Sequence, residues 1–280
     1  MSGVLELRRA RRERTLLLLV TNDWYAASHR LALVKAASDA GWRVVVATEV
    51  MAHRAVLEAA GAEVIHLAWW RAGGEWRTRN SAALLADVIR VCRRVRPHVV
   101  HCVALRPVLF GSLAARLVGI PGTVNAVAGQ GFVFVSHSRL ARVLRPVITR
   151  VLRIALNPRK GRVGRTILQN PDDRDFLVAR GLVRRDLVTL IRGAGVDLDE
   201  FAPAPAPAGP LVVVLPARML WEKGVREFVA AARRIRSMGV EARFCLVGGT
   251  LAGNSRWVDP AQLAAWQQEG IVEWWGQRND

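Results

Sequence analysis

Short apolar runs rich in Val, Ile and Leu alternate along this chain with segments of helical length: TLLLLV, RLALVKAASDAG, RVVVAT, HRAVLEAAG, AEVIHL, NSAALLADVIRVCRRVR and HVVHCV. This alternation constrains the fold strongly, because a parallel strand is reached only by a long crossover, and the crossover is usually a helix. The rhythm continues through VLFGSLAARLVG, GTVNAV, a helix near 138–156, RTILQN, DDRDFLVARG and LVTLI. The expected class is α/β, with one complete doubly wound domain over 15–200 after a basic arm at 1–14. A content of 51% hydrophobic residues supplies a core of that size.

The stretch FAPAPAPAGP at 201–210 then interrupts the pattern, and alternating Ala-Pro favours an extended, semi-rigid connector. Beyond it the rhythm restarts with LVVVLP, VREFVAAARRIRSMG, ARFCLVGG, PAQLAAWQQEG and IVEWWG. A second α/β domain over 211–280 is expected to be incomplete, since about three strands bury too little to be comfortable alone and leave a sheet edge open. The chain therefore reads as a truncated version of a two-domain enzyme.

The formal net charge is +18, carried almost entirely by Arg, with Lys only at Lys35, Lys160 and Lys223. Such a surface favours anionic partners, although Arg could equally be the chain's default surface cation. Cys92, Cys102 and Cys245 show no metal or redox spacing and fit buried thiols of a reducing compartment. The apolar run Leu16 to Val20 is shorter than the roughly 7 to 15 residues of a signal-peptide core, and no run approaches the roughly 18 of a spanning helix. The expected place is the cytoplasm, with peripheral contact at the inner face of the plasma membrane.

In open α/β sheets ligands bind beyond the carboxyl ends of the strands. The first such segment, TNDWYAASHR, lacks G-x-G-x-x-G, which argues against a nicotinamide or flavin site. It offers Asp23, Ser28, His29 and Arg30 beside Trp24 and Tyr25, a set suited to a sugar; the plain alternative is a Ser N-cap with an exposed first turn. Gly129 and Gly131 in AGQGFVF allow close backbone approach, or simply a turn. His101 and Cys102, at the end of HVVHCV, read as core residues. After LVVVLP come Arg218 and Lys223, where a helix beginning near Lys223 or Gly224 turns its positive end outward. An Arg fork and a Lys point charge there suit a diphosphate; the alternative is a solvated basic helix start. Gly248 and Gly249 end the next strand and either meet a ligand with their backbone or form a flexible loop.

In SRLARVLRPVITRVLRIAL, Arg139, Arg142, Arg145, Arg150 and Arg153 share one arc, and Leu140, Val143, Leu144, Val147, Ile148 and Val151 the other. A basic amphipathic helix of this kind can lie on anionic lipid, or pack on its own core like any surface helix. Nucleic acid is not expected, because no aromatic-basic interleaving of a known RNA module is present.

Taken in order, DWYAASHR, NAVAGQGFVF, LQNPDDRDF, GAGVDLDEF and ARMLWEKGVREF resemble the glycosyltransferase family 4 enzymes of the GT-B fold. They look most like members that add sugars to polyprenyl-diphosphate-linked glycans in bacterial envelope synthesis. The resemblance implies two Rossmann-like domains, the first taking the acceptor and the second a nucleotide-sugar, with transfer in the cleft and retention at the anomeric carbon. It places Arg218 and Lys223 on the family's R-x4-K pair that grips the donor diphosphate in place of a metal, so no cofactor is implied. Ser28 and His29 fall on the acceptor-side loop and GAGVDLDEF on the interdomain connection. Two departures stand out: Ala128 occupies the position where many members carry a His, so no catalytic base is assigned, and the family's E-x7-E segment should lie beyond Asp280. Other readings are a non-catalytic remnant that binds acceptor or membrane, and a GT-B-fold sugar-nucleotide epimerase.

Overall fold

The computed structural model describes residues 14–69, 78–127, 139–193, 195–199, 201–205, 208–250 and 256–278. The chain divides into two compact units, Met1–Asp197 and Leu198–Asp280.

The first unit carries a parallel seven-stranded sheet in the order β3-β2-β1-β4-β5-β6-β7. Its strands are β1 (Thr15–Asn22), β2 (Arg43–Glu49), β3 (Ala62–His66), β4 (Val99–Val103), β5 (Gly122–Val127), β6 (Val163–Leu168) and β7 (Val188–Leu190). β1 pairs with both β2 and β4, so the strand order reverses beside it. Leu17, Leu18 and Leu19 are fully buried, which explains why this strand is an unbroken apolar run: a central parallel strand is covered on both faces.

Helices cover both faces: α1 (Asp23–His29), α2 (Leu31–Asp39), α3 (Arg54–Ala59), α4 (Thr78–Val95), α5 (Leu105–Val118), α6 (Arg139–Leu156) and α7 (Pro171–Ala179). Leu17, Leu19, Val45 and Cys102 pack with Val88 and Cys92 of α4 and Val108 and Ala114 of α5. Leu18, Val20, Val46 and Val103 pack with Ala26, Val34 and Leu57 of α1, α2 and α3. α5 lies so close to the sheet that a Cβ on Gly111 would stand 2.5 Å from the Cys102 Sγ and 2.6 Å from Leu19 Cδ1.

In its described half the apolar arc of α6 is divided: Ile148 is buried and Val151 partly buried on the core, while Val147 is 59% exposed. Ile148, Leu152 and Leu156 are buried in the same cluster as α5, as an apolar helix stripe packs on a core. Arg153, on the outer arc, donates from Nε to the Gly181 carbonyl at 3.0 Å. The side chains of Arg139, Leu140, Arg142, Val143, Leu144 and Arg145 lie outside the described residues.

The second unit holds a parallel three-stranded sheet, β10-β9-β8, from β8 (Leu211–Pro216), β9 (Ala242–Val247) and β10 (Glu273–Gly276). α8 (Val225–Ser237) and α9 (Pro260–Gln268) pack on it through Val225, Val229, Leu263 and Trp266 around Phe244 and Leu246. Leu211, Val212, Val213 and Val214 of the edge strand are all exposed. Successive residues point to opposite faces, so β8 offers apolar surface on both.

Candidate functional site

The TNDWYAASHR segment is a helix, not a loop. Asn22 caps α1 by accepting from the Tyr25 N–H at 2.8 Å, so the capping role considered for Ser28 belongs to Asn22. Asp23 does not face a ligand either. Its Oδ2 accepts the backbone N–H groups of Met51, Ala52 and His53 at 2.7, 2.9 and 2.8 Å, stapling the end of β1 to the turn after β2. Burial pushes this carboxyl's pKa up, but the backbone donors outweigh it and hold the value below the ordinary one.

Ser28 and His29 sit exposed in the last turn of α1. The Ser28 hydroxyl donates to the Trp24 carbonyl at 2.8 Å and stands 2.6 Å from His29 Nδ1. A hydroxyl has one proton, so with that proton on the carbonyl it is Nδ1–H that donates to Oγ. The His29 ring stacks on Tyr25 at 4.3 Å, which occupies one face of the ring expected to meet a sugar. Burial and the neighbouring Arg30 charge both lower the His29 pKa.

Arg30 points to a different partner. With Leu33, His101, Ala126, Val127, Ile167, Gln169, Ile191 and Gly193 it lines a cavity of about 190 Å³. The cavity opens at the carboxyl ends of β5, β6 and β7, next to the reversal of strand order where such sheets take ligands. His101 is 8% exposed, and neither its Nε2 nor the buried Nε of Arg30 has a hydrogen-bond partner among the described residues. Burial, then the Arg30 charge, lowers the His101 pKa to about 4, so the ring is neutral at pH 7. The sequence reading of His101 as a satisfied core histidine is corrected to this extent: it is buried, and its Nε2 has no partner among the described residues. Its signal was an imidazole inside an otherwise apolar strand near that strand's carboxyl end. Ala104, three residues on, holds φ +73°, a conformation costing about 1–3 kcal/mol that concentrates at functional sites. Gly129 and Gly131 lie outside the described residues.

In the second unit Arg218 and Lys223 flank a loop that its own apolar residues pin down. Met219 and Leu220 are buried while both cations are exposed. The loop is also sewn to the segment after β9: Met219 N–H donates to the Gly249 carbonyl at 3.0 Å and Val258 N–H to the Met219 carbonyl at 2.8 Å. A single 3-10 turn, Trp221–Lys223, leads through Gly224 at φ +79° into α8. Glu222 is taken by Arg256 at 3.0 Å, and among the described residues neither Arg218 nor Lys223 pairs with a carboxylate.

Gly248 explains how these loops come so close. Its φ is +150°, and a Cβ there would stand 1.9 Å from the Ala217 carbonyl oxygen. The Gly248 N–H donates to the Gly276 carbonyl at 2.7 Å and the Gly249 N–H to Gln277 Oε1 at 3.2 Å. Both amides are engaged inside the unit, so the role visible for this pair is to position the Arg218 loop. Among the described residues no group of three or more His, Cys, Asp or Glu side chains is arranged to hold a metal ion.

The profile of the family described as Glycosyl transferase 4-like matches residues 15–158, just over half of the chain. The chain belongs to that family. Two curated relatives are a Campylobacter jejuni N,N'-diacetylbacillosaminyl-diphospho-undecaprenol alpha-1,3-N-acetylgalactosaminyltransferase, 25% identical over 57% of this chain and 44% of its own, and a Streptomyces kanamyceticus 2-deoxystreptamine glucosyltransferase, 28% identical over 60% and 46%. The chain thus spans about half the length of the curated relatives it matches. Among solved structures, Anabaena HepE with UDP and glucose superposes with TM-score 0.65 at 17% identity, covering 94% of this chain and 69% of that one. A sucrose-phosphate synthase from Thermosynechococcus elongatus superposes with TM-score 0.69 at 16% identity, covering 95% and 71%. These likenesses show the GT-B fold for a member of the family.

Proposed function

We propose that this family member transfers a sugar from a nucleotide-diphosphate-sugar to a lipid-linked glycan with retention, from a peripheral place at the inner face of a plasma membrane, in the building of an envelope glycan. The observation that carries the reading is the pair Arg218 and Lys223: two exposed cations with no carboxylate partner among the described residues, on a loop fixed by buried Met219 and Leu220. A diphosphate held there meets a bidentate Arg and a compact Lys charge. As the glycosidic bond to the donor breaks, negative charge grows on that diphosphate, and fixed cations stabilise it without a metal ion. The Arg30–His101 cavity takes the acceptor. Neutral His101 offers Nε2 to a sugar hydroxyl.

The lipid-linked acceptor is supported by the Campylobacter relative, which is named for a diphospho-undecaprenol sugar; the Streptomyces relative is named for 2-deoxystreptamine. The test is a transfer assay in chelator, pairing nucleotide-diphosphate-sugars with polyprenyl-diphosphate-linked saccharides and with 2-deoxystreptamine, and assigning the new linkage by NMR. Chelator-resistant transfer to the lipid-linked saccharides with the donor's anomeric configuration supports the proposal. Donor binding without transfer supports a non-catalytic binding chain, and epimerised donor supports an epimerase; either result overturns it.

A further inference from the structure

A second concave site lies toward the amino ends of β5 and β6, the end of these strands away from the acceptor-side cavity. A pocket of about 280 Å³ opens between the carboxyl ends of α5 and α6 and the start of β6. Thr123 lines it, whereas Val127 lines the acceptor-side cavity; four residues of strand separate them by roughly 13 Å. Four cations ring the opening, Arg116, Arg159, Lys160 and Arg162, and no Asp or Glu lines it. Among the described residues none of the four reaches a carboxylate, whereas Arg43, Arg54, Arg184, Arg233 and Arg243 each pair with one. Arg116 Nη1 donates to the Asn157 carbonyl over a long 3.4 Å.

Helix dipoles account for part of this arrangement. Arg116 lies in the last turn of α5, where a cation is favoured. Arg159, Lys160 and Arg162, however, lie beyond α6 on a turn closed by Arg162 N–H donating to the Arg159 carbonyl. Gathering four like charges around one opening is unfavourable until an anion enters.

The surroundings narrow the choice of anion. Ile154 and Val163 line the pocket and are exposed, Val163 to 68%, and Leu117, next to Arg116 in the chain, is 64% exposed. Apolar side chains set among cations suit a surface that is itself apolar beneath an anionic layer. We propose that this pocket and its apolar rim dock an anionic phospholipid surface, one phosphate headgroup entering between Arg116, Arg159, Lys160 and Arg162 while Leu117, Ile154 and Val163 enter the interface. The buried arc of α6 takes no part. The site rests on the peripheral membrane placement proposed above but shares no residue with the donor and acceptor positions, so its loss in the flotation test is distinguishable from failure of the transfer reaction.

The test is flotation of the whole chain with vesicles of phosphatidylglycerol or phosphatidylcholine, alone and with excess inorganic phosphate. Binding is expected to phosphatidylglycerol vesicles and to fall at least tenfold in the Arg159→Gln, Lys160→Gln, Arg162→Gln variant. It should change less than twofold when the same charge is removed at Lys35, Arg192 and Arg234. Leu117→Ser with Val163→Ser should also weaken flotation. All substituted positions are exposed, and unchanged thermal melts and donor titrations check that the variants fold. Equal losses in the two charge variants would reduce the effect to net charge and overturn the proposal. So would phosphate binding that persists in the Leu117→Ser, Val163→Ser variant with undiminished flotation, or equal flotation on phosphatidylcholine.

Discussion

His101 shows what a single buried polar group costs and what it offers. Folding holds its ring neutral by lowering its pKa from 6.5 to about 4. The unfolded chain therefore binds the extra proton between those values and the folded one does not. Its contribution is fully present above pH 6.5 and is lost as pH falls toward 4, by about 3 kcal/mol in total. Denaturant midpoints measured from pH 4 to 7 should rise less steeply in His101→Leu than in the wild type; an identical slope would contradict the assignment. Gly248 makes the complementary point about backbone. Gly248→Ala sets a methyl against the Ala217 carbonyl, at 1.9 Å before relaxation, and should cost the second unit at least about 2 kcal/mol. Chemical denaturation gives the stability loss, and weakened donor binding would report the displaced Arg218 loop.

At the scale of elements, the Asp23 staple joins α1 to the turn before α3. Asp23→Ala leaves three backbone N–H groups without their acceptor and should cost about 3 kcal/mol. Hydrogen exchange at Met51, Ala52 and His53 is the specific readout, because general destabilisation would not single out those amides. The folded pKa of Asp23 is depressed, so its contribution is present above the ordinary carboxylate value and is lost as pH falls through the folded one. The ten strands among the described residues were legible as short apolar runs between helical segments: TLLLLV is uninterrupted because both its faces are covered, whereas LVVVLP is as apolar although it forms an exposed edge strand. The seven-residue helix α1 was not, since DWYAASH lacks helical periodicity and its sign was the capping Asn22. Arg218 and Lys223 were legible because both lie on one loop. The Arg30–His101 meeting was hidden by the 70 residues between them in the chain, and the period of α6 left both readings open because core-facing and lipid-facing helices share it.

For the whole molecule, the two units divide the chemistry by their residues. The first brings a neutral imidazole, an Arg and apolar walls to one cavity; the second brings to one fixed loop two exposed cations that pair with no carboxylate among the described residues. The central claim is that this loop grips a diphosphate. Calorimetric titration of the whole chain with UDP and UMP, in the wild type and in Arg218→Ala, tests it most directly. UDP should bind the wild type much more tightly than UMP. Loss of a bidentate charged contact, about 2–4 kcal/mol, should weaken UDP at least thirtyfold and bring it close to UMP. A UDP affinity unchanged in Arg218→Ala would contradict the account.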